Sequence, residues 1–300
     1  MDINHLYYLK QYYISRILQN ALASQFVRNT SVSYFDTSPH EEYVKEILQL
    51  VKPMRLHGKH AKIRLGRMRD GGYVMIDPGQ GGIAYSFGIN GEVSWDSAMA
   101  LRHYKIFQYD GTIPAPPKFH QNFHWYRYNV TGDDTPQTGH INVVTIIKEL
   151  HHENENNIIL KMDIENAEFD FFANIETDLM NKFSQIMVEL HNITNFSDEA
   201  KQKHISVLKK INETHQSIHY HINNVGGIAV FPSCSIGKTL EITFLRRHGN
   251  NFTYDFSEYP ILGLDYPNNH NYPDIYIGNL EIILARDSTV KLLCNQEDEI

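Results

Sequence analysis

Tyr85-Ser-Phe-Gly-Ile-Asn-Gly-Glu-Val-Ser94, followed by Lys105-Ile-Phe-Gln-Tyr-Asp110, decides how this chain is read. The first stretch is an apolar strand that runs into a glycine turn and a short helix; the second is an apolar strand ending on an acid. From Gly88 to Asp110 is about 20 residues, the interval over which a βαβ unit brings a carboxylate beside a glycine turn. There the carboxylate can accept hydrogen bonds from the hydroxyls of a ribose. Gly88 and Gly91 let the backbone approach a ligand closely, with positive φ open to either. The turn lacks a complete G-x-G-x-x-G pattern, so it suits a dinucleotide pyrophosphate poorly. An adenosine-bearing ligand without phosphates fits better.

Outward from this unit, strands and helices alternate, which predicts an α/β fold built on a largely parallel sheet with helices on both faces. Strands are predicted over 83–88, 105–110, 123–128, 157–163, 184–190, 217–222 and 239–246, and helices over 93–103, 142–151, 167–180 and 197–214. The last two strands are joined without a helix, so the final strand is expected to be antiparallel. Two further helices are predicted upstream, over 4–25 and over 39–51, the second closed by Pro53. They read as an N-terminal helical extension over 1–60 that packs on the domain or mediates a homodimer.

A chain of 300 residues can bury a full core. Its net charge of −8 argues against a nucleic-acid partner, which needs a clustered basic surface. Two cysteines, Cys234 and Cys294, make neither a disulfide framework nor a cysteine zinc site and read as free thiols. The chain shows no signal-peptide order and no apolar run of about 20 residues. The expectation is a cytoplasmic protein with no membrane span.

Chemistry-bearing residues gather at predicted strand ends. One strand delivers Asp163, with Glu165 and Glu168 close behind; such carboxylates repel one another unless they bind a cation, a hydroxyl or a cationic ligand, or cap the next helix. The strand Ile186-Met-Val-Glu-Leu-His191 delivers Glu189 and His191 to one face. With Asp163 they form either a general base with its assistants or a metal cluster. His221 and Asn223 end another strand, where they could orient an acceptor, while His219 reads as part of a solvated edge. Arg64 and Arg67 precede an Asp70-Gly71-Gly72 turn, which reads as an anion or sugar contact or as a hairpin before the sheet.

With these residues in hand, the chain resembles the FkbM-type family of S-adenosylmethionine-dependent methyltransferases. The resemblance rests on Asp70-Gly-Gly-Tyr-Val74, Ser86-Phe-Gly-Ile-Asn-Gly-Glu-Val-Ser94, Tyr109-Asp-Gly-Thr112, Lys161-Met-Asp-Ile-Glu-Asn-Ala-Glu168 and Val188-Glu-Leu-His191, in that order. It spans roughly residues 64–247. Asn166 stands where the family's D-I-E-G-A-E motif has glycine. The resemblance implies a Rossmann-like, doubly wound seven-stranded sheet over 61–300 and bound S-adenosyl-L-methionine. It assigns Gly88, Asn90, Gly91, Asp110, Gly111 and Asp163 to the cofactor, with Gly88 and Gly91 against the methionine part, Asp110 on the ribose and Asp163 facing the amino group or reacting centre. It implies O-methylation, with a sugar or nucleotide-linked sugar of a surface polysaccharide as the leading acceptor. On that reading His191 is the base, Glu189 and Asp163 assist it, and Arg64, His221 and Asn223 contact the acceptor. A divalent metal held by Asp163, Glu189 and His191 is the alternative. Two rival readings are a non-catalytic S-adenosylmethionine- or nucleotide-binding protein of the same fold, favoured by Asn166, and an NAD(P)-dependent enzyme, disfavoured by the missing third glycine.

Overall fold

The structure is a computed structural model that describes Arg16 and residues 32–35, 39–58, 60–134 and 137–285. The helix expected over 4–25, apart from helical Arg16, lies outside the described residues, as do the homodimer contact assigned to it and Cys294.

All seven predicted strands form and share one sheet: β1 (Gly82–Phe87), β2 (Tyr104–Tyr109), β3 (Phe123–Tyr126), β4 (Ile158–Met162), β5 (Phe183–Leu190), β6 (His215–Ile222) and β7 (Leu240–Arg246). Their spatial order is β6-β7-β5-β4-β1-β2-β3. Neighbours from β5 to β3 are parallel, whereas β7 runs antiparallel between β5 and β6. The chain thus winds outward in one direction through β3 and then crosses over to β4. Strand order reverses between β1 and β4, so their carboxyl ends open a crevice.

Alternation along the strands sorts side chains onto two faces. Tyr85 and Phe87 of β1, Leu160 and Met162 of β4, and Ile186 and Val188 of β5 point into the larger core. There they meet helices α1 (Pro39–Val51), α3 (Val143–Glu149), α4 (Glu168–Asn174), α5 (Thr177–Met180) and α6 (Asp198–Thr214). Ala84, Ile159 and Met187 point to the opposite face, covered by α2 (Ser94–Leu101) and by an antiparallel pair, Lys62–Leu65 with Tyr73–Ile76. That pair is the hairpin reading of the Asp70-Gly71-Gly72 turn. It means that one face is covered partly by a hairpin rather than by helices alone.

The described part of the 1–60 segment is tied to the rest of the chain. α1 buries Tyr43, Val44, Ile47, Leu48 and Val51 in the larger core beside Leu208 and Ile211 of α6. Val32–Tyr34 pairs in parallel with Ile228–Val230, and Met54–Leu56 pairs with Phe252–Tyr254. The helix predicted over 167–180 is broken in two, because Ile175 and Glu176 take extended ψ of 144° and 148°. This break drops the Ile175 side chain, 1% exposed, into the core.

Among the described residues, no helix is long and apolar enough to cross a membrane.

Candidate active site

The carboxyl ends of β4, β5 and β6 and the start of β7 border an open cleft of ≈ 630 Å³, with Asp163, Glu189, His191, Asn223 and Thr239 in its wall. Loops add Asp70 from the hairpin turn and Asn268 and Asn269 from the Asn- and Pro-rich tail. A larger hollow of ≈ 890 Å³ lies at the opposite edge, beside Gly82, Tyr104 and Asn157. It contains none of the predicted site residues, and ligands of open parallel sheets bind at the carboxyl edge. The smaller cleft is therefore the candidate site.

The glycine turn lies alongside this cleft, joined to it through Asp163. Gly88 has φ +70°, and a Cβ there would stand 1.7 Å from the Asp163 carbonyl oxygen. Glycine is thus required because the ends of β1 and β4 pinch together. The second left-handed residue is Asn90 (φ 40°), not Gly91, which faces open space. Asp110 fastens the turn: Oδ2 accepts the N–H groups of Ile89 (3.0 Å) and Asn90 (2.7 Å), and Oδ1 accepts the N–H (2.8 Å) and hydroxyl (2.5 Å) of Thr112. Burial alone would raise its pKa, but these bonds outweigh it and hold the group below the ordinary carboxylate range. With four donors already on its two oxygens, Asp110 would have to release Thr112 to hold a ribose diol. Gly111 is also engaged, its N–H on Asn129 Oδ1 at 3.0 Å and no space left for a Cβ. Behind the turn, buried Lys161 donates to the Gly88 carbonyl and lies over the Tyr73 ring.

His191 follows the end of β5, and two loops hold it. Its Nδ1 lies 3.1 Å from Glu168 Oε1, which also accepts the Ile164 N–H at 3.0 Å. An acceptor on that side puts the ring proton on Nδ1. Nε2 then faces the cleft, 3.6 Å from Glu165, 3.7 Å from Glu189 and 4.0 Å from Asp163. Burial pulls the imidazole pKa down, but the Glu168 hydrogen bond and the surrounding acids reverse this and raise it above 6.5. Asp163 is pushed up to about 6, chiefly by burial, and its Oδ1 has no hydrogen-bond partner among the described residues. Glu165, Asn166 and Asn192 all have positive φ, which shapes these two loops. Asn166 sits at φ 80°, where asparagine is tolerated, and its side-chain oxygen accepts from Asn192 Nδ2. The residue that departs from the family motif therefore links the loops on either side of His191.

Glu189 is nearly fully buried, and burial, reinforced by the charges of Asp163 and Glu241, raises its pKa well above 4.5. Glu189 therefore holds its proton more tightly than an ordinary carboxylate does. Asn223 donates to Glu189 Oε1 at 2.8 Å, and its own oxygen accepts the Val225 N–H. Asn223 thus braces Glu189 while lining the cleft. Tyr73 is buried against Asp163, Glu189, Glu241 and Asp70, and its phenol stays protonated.

Three further expectations are corrected. His221 does not face an acceptor: it is buried, with Nδ1 3.0 Å from Glu241 and Nε2 2.9 Å from Asp274. The Arg64 guanidinium is spent on the backbone carbonyls of Arg67, Arg69 and Leu264, bracing the hairpin turn outside the cleft. Nor is His219 solvated; it is buried with Nε2 2.8 Å from Asp265.

The structure thus brings Asp163, Glu189, His191 and Asn223 together, sets the glycine turn and Asp110 beside them, and removes Arg64 and His221. Ligand atoms of Asp163, Glu189 and His191 lie within 4.8 Å of one another, close enough to share one cation. Glu168 as the partner of His191, and Asp70 and Asn268 as cleft residues, were not assigned to the site from sequence. Glu168 and the Asp70-Gly-Gly-Tyr73 run were visible as motifs, whereas nothing local marks Asn268.

No protein-family model matches this chain, and no curated protein matches it in sequence.

Proposed function

We propose that this protein is a cytoplasmic S-adenosylmethionine-dependent O-methyltransferase of the FkbM type, acting on a hydroxyl of a sugar or nucleotide-linked sugar of a surface polysaccharide. The observation that carries this reading is His191: one ring nitrogen is tied to Glu168 and the other faces the cleft beside an orphaned Asp163 oxygen. The seven-stranded sheet with its inserted antiparallel strand supports it, being the sheet that the resemblance implies.

The residues suit the cofactor at its methionine end. Asp163 Oδ1, without a hydrogen-bond partner among the described residues, can accept from an ammonium group, and Gly91 leaves space beside the turn. At the ribose end, a diol has to take over the Asp110 oxygen that Thr112 now occupies. Bound there, the cofactor supplies a sulfonium-borne methyl for in-line displacement by the acceptor oxygen, with departure of the thioether.

The chain contributes alignment and proton removal. Asp110 fixes the turn through Ile89 and Asn90, and Lys161 fixes it through the Gly88 carbonyl. His191 Nε2 takes the hydroxyl proton as the new C–O bond forms. Glu168 holds Nδ1–H and stabilises the imidazolium that results, as an orienting carboxyl does for a catalytic histidine elsewhere. A base must be unprotonated to act, so turnover rises with pH through the raised His191 pKa.

The test combines calorimetry with S-adenosylmethionine and a turnover assay on nucleotide-linked sugars. Wild type and His191→Ala should bind the cofactor alike, and only wild type should release S-adenosylhomocysteine. Binding without turnover on any acceptor would favour the non-catalytic binding protein.

A further inference from the structure

The hollow of ≈ 890 Å³ at the opposite edge of the sheet shares no residue with the cleft, so methyl transfer leaves it unused. Strand register assembles its wall. Ile83 of β1 lies opposite Lys105 of β2, Tyr85 opposite Phe107, and Phe107 opposite His124 of β3. Alternation turns all of these side chains to the face that carries the larger core. Beyond the end of α3 the chain adds Leu150, His152 and Glu155 to the same hollow.

His152 is the sign of a ligand. Its side chain is held edge-on to Phe107, with ring centroids 5.0 Å apart, and the residue is only 9% exposed. Nδ1 lies 2.8 Å from the Tyr85 hydroxyl. That phenol has no other hydrogen-bond partner among the described residues, so it donates to Nδ1 and the ring hydrogen sits on Nε2. Nε2 has no partner among the described residues and is not enclosed, so its N–H opens on the hollow. Burial holds the imidazole pKa below 6.5, so the ring offers one N–H rather than a charge. A donor set this deep and left unmet costs free energy that a ligand acceptor would recover.

The charge around the hollow says what that acceptor is. Lys105, His103 and His124 stand exposed in its wall, and their side chains make no hydrogen bond or ion pair among the described residues. Glu155 is the one acid in the wall, on a chain whose net charge is −8. We propose that this hollow binds a small organic phosphate, with phosphate oxygens on His152 Nε2–H and the Lys105 ammonium and the organic part against Ile83 and Leu150. Donors arriving from separate elements suit a phosphate, with three acceptor oxygens, better than a carboxylate with two. The volume exceeds what inorganic phosphate fills and lies in the range of small-molecule sites. The site stands at the start of β1, whose other end is the glycine turn, and it can be tested whether or not methyl transfer holds.

The experiment is calorimetry of the full chain titrated with glucose 6-phosphate, with inorganic phosphate and glucuronate as comparisons. Glucose 6-phosphate should bind more tightly than either. Lys105→Glu reverses an exposed charge and leaves the packed strands intact; it should weaken binding by about tenfold or more. His191→Ala, at the other edge of the sheet, should bind as wild type does. In proton–nitrogen spectra of the wild type, the Nε2–H signal of His152, assigned by its loss in His152→Gln, should move when glucose 6-phosphate is added. Four outcomes would overturn the proposal: no uptake of glucose 6-phosphate at millimolar concentration, glucuronate bound as tightly, wild-type affinity in Lys105→Glu, or an unmoved His152 signal at saturation.

Discussion

His191 and His221 stand at the same edge of the same sheet, and each is ringed by carboxyl groups. His191 gives Nδ1 to Glu168 and turns Nε2 to the cleft, with 13% of its side chain exposed. His221 gives both nitrogens away, to Glu241 and Asp274, and only 1% of its side chain is exposed. Acids around a histidine make a base only where one nitrogen stays free. Where both are taken, the same ingredients make a buried charged brace between β6, β7 and the tail.

The largest expected effect breaks the first half of this contrast. His191→Ala should lower turnover by about 10²–10⁴-fold, the usual contribution of a positioned base, with cofactor affinity and melting temperature close to wild type. His221→Ala should do the reverse in kind. It leaves Glu241 and Asp274 without their buried cation and should cost about 3–5 kcal/mol in urea unfolding. If His221→Ala folded with wild-type stability and lost turnover as His191→Ala does, the contrast would be wrong.

The pH dependence of stability sharpens the same point. Burial pulls His221 down, but Asp274 and Glu241 outweigh it and raise the folded pKa well above 6.5. A group raised in the folded state stabilises fully below its unfolded pKa of about 6.5 and loses that stabilisation as pH climbs through the folded value. Asp265 has the opposite sign: burial raises it, but His219 and the Ile261 N–H bring it down to about 2. Its contribution is present above about pH 4 and disappears as pH falls toward 2. Urea midpoints measured across pH should therefore decline on the alkaline side, and His221→Ala should flatten that decline alone.

Smaller effects follow for the loops that hold His191. Glu168→Gln removes what raises the imidazole pKa, so the acid limb of the turnover profile should move to lower pH while turnover falls. An unshifted limb would separate Glu168 from the base. Asn166→Gly should be the mildest change, within about 1 kcal/mol, because relief at φ 80° offsets the lost bond to Asn192.

Strands β4 and β5 were legible because each is an apolar run that leads into a polar residue, a pattern written within a few neighbours. Asp163, Glu189 and His191 were legible for the same reason, since alternation and strand ends fix where they emerge. The fates of His219 and His221 were not, because each pairs with an acid, Asp265 or Asp274, that lies 46 or 53 residues away in a tail without periodicity. The split of the helix predicted over 167–180 was equally hidden, for it follows from where the core draws Ile175. Glu168 could be seen as an acid, but its turn inward to His191 depends on positive φ at Glu165 and Asn166.

The central claim is that this cleft removes a proton during methyl transfer from S-adenosylmethionine, with His191 as the base. Its most direct test is mass spectrometry of a panel of nucleotide-linked sugars incubated with the cofactor and either wild type or His191→Ala. The account predicts one sugar gaining a methyl group with wild type and almost none with the variant, at equal cofactor binding. Equal methylation by both proteins, or no cofactor binding by wild type, would contradict it.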